Sequence, residues 1–317
     1  MIKAPIGAAA GCADDAISVA TRAAYARAWA HFAAWCRDNG ADPGALPNTP
    51  ALVAAYLAAL AATHGASALR SRVAAIACHH RQRGVAFAPT HSVIRETLGA
   101  IRGRHPRPVR PAAALASPEV KRLLAACPGD LAGLRDQALL LVGFAGAFRR
   151  SELVAIDREH LRFAASGVTI HVPRGKRGQE GEGAGVTLPR LRDASTGVVS
   201  DTCPVRALEA WLARAQLRRG PVFRGVNRHG AMEDRLTPGA VRLILLKRAG
   251  LAKLTAPAGE RLSPQGLRAG SITQATLAGL LDQPMGELAR HDDPRPTRDR
   301  RRRTRITGDN PARPVDL

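Results

Sequence analysis

Apolar residues in the first hundred positions recur at helical spacing, and capping residues stand where the pattern begins. Ser18 can cap a segment that runs to about Asp38 and stops at Asn39-Gly40. The apolar residues of this segment fall on roughly one helical face: Ala24, Trp29, Phe32, Ala33 and Trp35. Similar signals predict three further helices over residues 50–62, 66–83 and 92–102. The first hundred residues therefore predict a compact bundle of four short helices.

A short segment rich in proline and arginine follows the predicted bundle. Residues 103–111 read GRHPRPVRP, with three prolines and three arginines. Proline fixes φ and lacks an amide donor, so this segment can form neither a helix nor a central strand. We predict an extended basic linker between two domains.

The pattern changes after the linker. Ser117 is predicted to cap a helix over about 117–126, and the run 138–142 in a second helix over 134–145 is apolar enough to be buried. Two runs of branched residues, 168–172 and 186–188, flank a glycine-rich stretch and predict a hairpin with a mobile basic tip. Three more helices are predicted over 204–216, 238–249 and 267–280.

Net charge restricts the class of partner. The 317 residues have a formal charge of +21, spread as +8 over residues 1–110, +9 over 111–289 and +4 over 290–317. This surplus repels itself unless a polyanion neutralises it, which favours nucleic acid and leaves an acidic membrane surface as the second alternative. Hydrophobic residues make up 45%, enough for a core. Aromatic residues make up only 3%, which argues against a single-strand binder that stacks bases on rings.

Cysteine usage and the N-terminus favour a soluble cytoplasmic protein. The five cysteines are scattered and odd in number, without a CxxC pair, so the sequence predicts neither a zinc module nor a disulfide framework. We find no signal peptide and no apolar run of about 20 residues.

Three basic residues stand in contexts that together suggest phosphate chemistry. Arg149 follows the predicted buried helix, Lys176 lies on the glycine-rich turn, and Arg268 is near the start of a helix. Singly, each has a simpler interpretation, as an ion pair, a solvated charge or a carboxylate contact. Together they could converge on one phosphate, because arginine grips phosphate oxygens bidentately and lysine delivers a compact charge or a proton. Such groups suit the charge that builds up during phosphoryl displacement.

In these segments the sequence resembles the tyrosine recombinase (phage integrase) family of site-specific recombinases. The resemblance rests on GAFRRSEL at 146–153, RGK at 174–176 with QEG at 179–181, and QGLRAG at 265–270. It implies a mainly α fold with a small β-hairpin or sheet, in which a four-helix SAM-like core-binding domain precedes an α+β catalytic domain. The implied boundaries are a flexible N-terminus over 1–15, the core-binding domain over 16–103, the linker over 104–113, the catalytic domain over 114–291 and a degenerate basic tail over 292–317.

The resemblance also implies catalytic roles. Arg149 and Arg268 match the two arginines that hold the scissile phosphate, and Glu152 matches the acidic partner that orients the first of them. Lys176 matches the hairpin lysine that protonates the leaving 5′ oxygen. Relatives of this kind need neither a metal nor a nucleotide, so we expect no cofactor.

Two positions depart from the family pattern. Gln265 falls where the family usually has histidine, and glutamine can donate a hydrogen bond but cannot titrate near neutral pH. His291 resembles the later His/Trp position that hydrogen-bonds the phosphate, and the nucleophilic tyrosine is expected about nine residues after it. Arg300 stands there, and the chain's two tyrosines are Tyr25 and Tyr56. We therefore expect a chain that can hold the phosphate but has no nucleophile to attack it.

The last residues have an unusual composition. Residues 300–303 are an unbroken run of arginines with almost nothing apolar around them, whereas GDNPA at 308–312 looks like a family-type ending. One hypothesis is that residues 292–305 are a degenerated or misread stretch.

The implied function is a clamp around duplex DNA, in a family of strand-exchange enzymes. The alternatives are a catalytically silent DNA-binding or regulatory protein derived from an integrase, and a basic helical RNA-binding protein. The expected partners are duplex DNA and, on it, further copies of the chain or an active relative, with no membrane and no small-molecule substrate. The residues expected to contact DNA are Arg70, Arg72, His79, Arg81, Arg104, Arg107, Arg110, Arg150, Arg174 and Arg177.

Overall fold

The computed structural model describes residues 17–106, 108, 110–172, 184–193 and 195–277. These residues form two compact units that divide between Pro108 and Arg110. The chain is mainly helical with a small antiparallel sheet, which confirms the predicted fold class. No helix in the described part is long and apolar enough to cross a membrane. The four cysteines of this part, Cys36, Cys78, Cys127 and Cys203, are free thiols.

The first unit is a bundle of four helices. They are α1 (Val19–Asp38), α2 (Pro50–Ala59), α3 (Ala66–Gln82) and α4 (Ser92–Arg104). Ser18 and Thr49 cap α1 and α2, as predicted, because their side chains accept hydrogen bonds from main-chain amides of the first turn. The largest side chains of its core are Phe32, Tyr56, Leu57, Leu69, Ile76 and Ile94. Burial of these side chains holds the four helices together.

The second unit is built around one buried helix. Its helices are α5 (Ser117–Ala125), α6 (Leu131–Ala145), α7 (Arg150–Ala155), α8 (Pro204–Arg214), α9 (Pro238–Leu251) and α10 (Gln265–Leu277). The apolar run 138–142 lies on α6, and none of its residues is more than 4% exposed, as predicted. Helix α6 packs against α5, α8 and α10, and these contacts hold it in place within the unit.

A small sheet covers part of the second unit. Strands β1 (Leu161–Ala164), β2 (Gly167–Val172) and β3 (Ala184–Pro189) pair antiparallel in that order. The predicted pair is β2 and β3, with Ile170 opposite Val186. The sequence did not predict β1, nor the two-stranded pair β4 (Arg224–Val226) and β5 (Met232–Arg235).

Helix α5 begins differently from the prediction. Ala116, not Ser117, is its N-cap, and the Glu119 carboxylate accepts the Ala116 N–H at 3.0 Å. The Ser117 hydroxyl instead donates to Oε1 of Gln274 on α10 at 2.8 Å. The predicted cap was therefore wrong by one residue because a glutamate three positions later supplies the acceptor.

A buried ion cluster joins α6 to α9. Asp136 is 1% exposed and accepts from Arg135 at 2.7 Å and from Arg248 at 2.6 Å, through different carboxylate oxygens. The two arginines also donate to the main-chain carbonyls of Arg224 and Ala126. A buried charge is tolerated only when it is paired in this way, so the cluster fixes how α6, α9 and β4 sit together.

Candidate functional site

The chain leaves α6 through a turn that leads directly into α7. Ala147 donates its N–H to the Phe144 carbonyl and Phe148 donates to the Gly143 carbonyl, each at 3.1 Å. These two bonds are those of a Schellman motif, in which the residue after the helix C-cap is left-handed. Ala147 occupies that place with φ 46°, where glycine is usual. Arg149 follows as the N-cap of α7.

Arg149 and Glu152 form a closed pair at the start of α7. The Glu152 carboxylate accepts the Arg149 N–H at 2.8 Å and the Arg149 guanidinium Nη1 at 2.6 Å. The Arg149 side chain is 44% exposed and the Glu152 side chain 15% exposed. The glutamate therefore caps the helix and orients an arginine that solvent, or a ligand, can still reach.

Arg268 reaches the same turn from α10. It is 6% exposed, and its Nη1 donates to the Ala147 carbonyl oxygen at 2.6 Å. Ala147 precedes Arg149 by two positions. The structure thus brings Arg149, Glu152 and Arg268 to one turn at the end of α6. The sequence predicted all three residues, but no sequence signal pointed to the carbonyl of Ala147 as the contact between them.

The remaining catalytic candidates are only partly described. Gln265 is the first residue of α10 and is exposed. It precedes Arg268 by three positions, so both lie on neighbouring positions of one helix face. Lys176 and His291 lie outside the described residues.

Neither tyrosine belongs to this unit. Tyr56 is fully buried in the first unit, where its hydroxyl accepts from Arg72 Nη1 at 2.6 Å and lies 3.0 Å from His31 Nδ1. Burial raises the pKa of this phenol, and the neighbouring Arg72 opposes the rise. Tyr25 is half-buried on α1. Tyr56 is thus a packing and hydrogen-bonding group, not an accessible nucleophile.

The arginines predicted to contact DNA on α3 fall into two groups. Arg70 and Arg81 are exposed and lie eleven positions apart, which places them on the same side of the helix. Arg72 is half-buried, because its guanidinium donates to Tyr56 and lies 3.0 Å from His64 Nε2. Arg70 and Arg81 can therefore meet a phosphate without breaking this internal hydrogen bond, whereas Arg72 would have to give it up.

His79 on α3 is engaged with an aromatic ring. Its imidazole stacks on Trp29 with 3.5 Å between ring centroids and 10° between ring planes. Burial lowers the pKa of His79, and the positive charges of Arg83 and His80 lower it further. At neutral pH this ring is therefore uncharged.

Three further DNA-contact candidates are exposed. They are Arg104 at the end of α4, Arg110 within the predicted linker and Arg150 at the start of α7. Arg110 also donates to the Glu260 carbonyl at 2.8 Å. The other three, Arg107, Arg174 and Arg177, lie outside the described residues. Within the described part, no group of three or more His, Cys, Asp or Glu side chains is placed to hold a metal ion.

Comparison with known proteins decides the family. No protein-family model matches the chain. The chain is 37% identical over 245 residues to an integrase/recombinase XerD homolog of Selenomonas ruminantium, covering 74% of this chain and 68% of that protein. The chain belongs to the tyrosine recombinase family. A second relative, the tyrosine recombinase XerC of Azotobacter vinelandii, is 35% identical over 140 residues, 44% of this chain and 38% of that protein.

Solved structures share the fold of this tyrosine recombinase. A lambda integrase tetramer bound to a Holliday junction superposes with a TM-score of 0.59 at 14% identity, covering 90% of this chain and 73% of that one. XerH bound to a palindromic difH substrate gives a TM-score of 0.56 at 12% identity, covering 85% and 74%. These matches confirm the predicted recombinase fold. In the sequence of this tyrosine recombinase, no tyrosine follows Tyr56.

Proposed function

We propose that this tyrosine recombinase clamps duplex DNA and holds one backbone phosphate between Arg149 and Arg268, with strand cleavage absent or severely impaired. The observation that carries the proposal is the contact of Arg268 with the Ala147 carbonyl, two positions before Arg149. The Arg149 side chain starts from the turn that the Arg268 guanidinium contacts, and two guanidinium groups at one turn can each bind different oxygens of a single phosphate.

Both arginines are held before any ligand arrives. Glu152 restrains the guanidinium of Arg149, which keeps 44% of its side chain exposed. The Ala147 carbonyl orients Arg268, and a carbonyl orients a guanidinium without cancelling its charge. A site arranged in advance loses little entropy when the phosphate binds, which supports a role in holding the backbone.

The charge of the chain supports duplex DNA as the partner. The excess of +21 is spread over both units, and Arg70, Arg81 and Arg104 are exposed on the first. The relatives are named recombinases, and the lambda integrase and XerH structures were determined on DNA, the former as a tetramer. We therefore propose that this chain binds duplex DNA in the cytoplasm and self-associates on that DNA.

The expected loss of cleavage rests on the hydroxyl groups that the chain provides as nucleophiles. Formation of a phosphotyrosyl link needs a phenol beside the phosphate, and Tyr56 is buried in the other unit. An aliphatic alcohol from serine or threonine is a poor leaving group for the reverse step. Gln265, which replaces the usual histidine, cannot move a proton near neutral pH. Binding without cleavage is the outcome that these residues favour.

A binding titration tests the first half of the proposal. Fluorescence anisotropy with a random-sequence duplex should give an affinity that falls steeply on a log–log plot between about 50 and 200 mM salt. Arg149→Ala and Arg268→Ala should each weaken binding by roughly tenfold or more, since each removes a charge-assisted contact. Arg219→Ala, an exposed arginine outside the site, is the matched control for the loss of one charge. Equal effects of all three variants would refute the phosphate site.

A cleavage assay tests the second half. Duplexes enriched from the random pool by binding are nicked so that a cut strand cannot be rejoined, then incubated with the full chain. A denaturing gel is expected to contain free DNA and no covalent protein–DNA band. A covalent band would contradict the claim of impaired cleavage. Competition with a structured RNA tests the RNA-binding alternative, which predicts that the RNA displaces the duplex.

A further inference from the structure

The last residues of the predicted basic linker and the residues after them lie along the helix that carries Arg268. We call residues 110–117 the linker strap. Its main chain pairs with the residues before α10: Ala113 N–H donates to the Arg261 carbonyl at 3.0 Å, and Arg261 N–H donates to the Pro111 carbonyl at 2.9 Å. Leu115 N–H then donates to the Gly266 carbonyl at 3.0 Å, inside the first turn of α10. The strap is therefore bonded to α10 itself and to the loop that leads into it.

Two glycines let the strap approach the helix closely. A methyl group built on Gly266 would overlap the Ala113 carbonyl oxygen, and one on Gly270 would overlap the Leu115 carbonyl group. One turn further along, Gln274 accepts a hydrogen bond from the Ser117 hydroxyl at 2.8 Å. The contacts thus follow one another along both elements. Every second residue of the strap contacts every fourth residue of the helix.

The spacing of the two elements matches over this length. Four residue steps separate Ala113 from Ser117, and they span about 13 Å at roughly 3.3 Å per step of extended backbone. Eight helical steps separate Gly266 from Gln274, and they span about 12 Å at 1.5 Å per step. The strap and the helix therefore stay in register over three contacts, which fixes both the height and the rotation of α10.

The opposite side of α10 carries the phosphate-site arginine. Leu267, 1% exposed, approaches α6, where its Cδ1 would lie 3.5 Å from a methyl group on Gly143. Arg268 donates to the Ala147 carbonyl just beyond the end of α6. Helix α10 is thus held between the strap and α6, and a shift of about 1 Å in its position would break a 2.6 Å hydrogen bond of the guanidinium.

We propose that the linker strap is the positioning element for Arg268, acting through Gly266 and Gly270. Its consequence for DNA binding rests on the proposed function, whereas the positioning itself does not. The strap begins within the predicted basic linker, so the segment expected to lie on DNA leads without interruption into the one that places Arg268. Gly270 is a positioning residue: any side chain there must displace the Leu115 carbonyl.

A measurement without DNA tests the positioning. In the full chain labelled with 15N-arginine, the Nε–H signal of Arg268 is identified by its absence in Arg268→Lys. Gly270→Ala should shift this signal and speed its exchange with water while circular dichroism reports a folded protein. Gly250→Ala, at a helical glycine of the same unit with open space around its Cα, should leave the signal unchanged. An unchanged signal in folded Gly270→Ala overturns the proposal.

A second measurement uses the random-sequence duplex and a double-mutant cycle. Gly270→Ala should weaken binding by up to the factor lost in Arg268→Ala, and the double variant should bind no more weakly than Arg268→Ala alone. Additive losses would mean that Gly270 acts only on general stability and would overturn the proposal. If the unaltered chain fails to bind the duplex, the proposed function falls, and the arginine signal still decides the positioning.

A milder variant covers the case in which Gly270→Ala does not fold. Arg261 is exposed, and its Nε donates to the Arg110 carbonyl at 3.1 Å, so Arg261→Ala removes one strap contact without a clash. It should move the Arg268 signal in the same direction by a smaller amount. Arg219→Ala should not move it. Identical spectra for these two variants would overturn the proposal.

Discussion

Ala147 has a φ of 46°, and its carbonyl oxygen accepts a hydrogen bond from the Arg268 guanidinium at 2.6 Å. A left-handed conformation costs a residue with a side chain roughly 1–2 kcal/mol. The two Schellman hydrogen bonds of the turn hold Ala147 in this conformation. The link between α6 and α10 is therefore made by the main chain of one strained residue.

Replacement of Ala147 by glycine should leave stability nearly unchanged. Relief of about 1–2 kcal/mol of left-handed strain offsets the lost burial of one methyl group, about 0.8 kcal/mol, and the added entropy of the unfolded chain, about 0.5–1 kcal/mol. Ala145→Gly, two positions earlier in the helical last turn of α6, gains no such relief and should lose about 1 kcal/mol. Urea unfolding of both variants checks the contrast. Equal losses would contradict the role given to the φ of Ala147.

Replacement of Glu152 should affect both the helix and the arginine. Glu152→Ala removes the acceptor for the Arg149 N–H and should cost about 0.5–2 kcal/mol of unfolding free energy. It also removes one restraint on the Arg149 side chain, so affinity for duplex DNA should fall, although by less than in Arg149→Ala. Glu152→Gln keeps an acceptor oxygen, so its stability and its affinity should lie between those of the unaltered chain and those of Glu152→Ala. Urea unfolding and anisotropy measure the two effects, with the exposed Glu233→Ala as control. Stronger DNA binding in Glu152→Ala would contradict the orienting role.

Removal of the buried carboxylate in the second unit should be severe. Asp136→Asn leaves Arg135 and Arg248 buried with reduced compensation and should cost about 3–5 kcal/mol. Asp201 pairs with Arg206 at the surface and is 92% exposed, so Asp201→Asn should cost at most about 1 kcal/mol. Chemical denaturation of both variants makes the comparison. A loss of similar size at the two sites would mean that burial does not govern the cluster.

The stacked histidine should make the first unit sensitive to acid. The pKa of His79 lies below its ordinary value of 6.5 in the folded chain, so the unfolded chain binds more protons as pH falls. Stability from this residue is therefore complete above about pH 6.5 and is lost as pH falls through the folded pKa. His79→Gln, which cannot titrate, should lose less stability between pH 7.5 and pH 5 than the unaltered chain. Urea unfolding followed by tryptophan fluorescence checks this, and equal losses would contradict it.

The helices could be predicted because their signals are local. Ser18 and Thr49 cap helices where the sequence placed them, and the apolar run 138–142 is buried as expected. The start of α5 was misplaced by one residue because the Glu119 carboxylate accepts the Ala116 N–H, while the Ser117 hydroxyl bonds Gln274. The short β1, β4 and β5 were missed because three or four residues carry too little periodicity to be recognised.

The contact that joins the predicted site residues could not be predicted from the sequence. Arg149, Glu152 and Arg268 were recognised by the segments that carry them, yet the contact between the two arginine segments is made by a main-chain carbonyl, which no residue type encodes. Arg72 illustrates the opposite limit. Its charge suggested a phosphate contact, and only the fold reveals that Tyr56 and His64 already occupy its guanidinium. Lys176 and His291 stay predictions.

The matched spacing of the linker strap and α10 restricts where the chain can gain residues. Side chains alternate along extended backbone, so one residue inserted between Ala113 and Leu115 would turn the buried Leu115 to the opposite face and shift the later contacts along α10. Residues added before Arg110 would disturb none of these contacts. The chain can therefore change the reach of its linker only upstream of Arg110 if the place of Arg268 is to be kept.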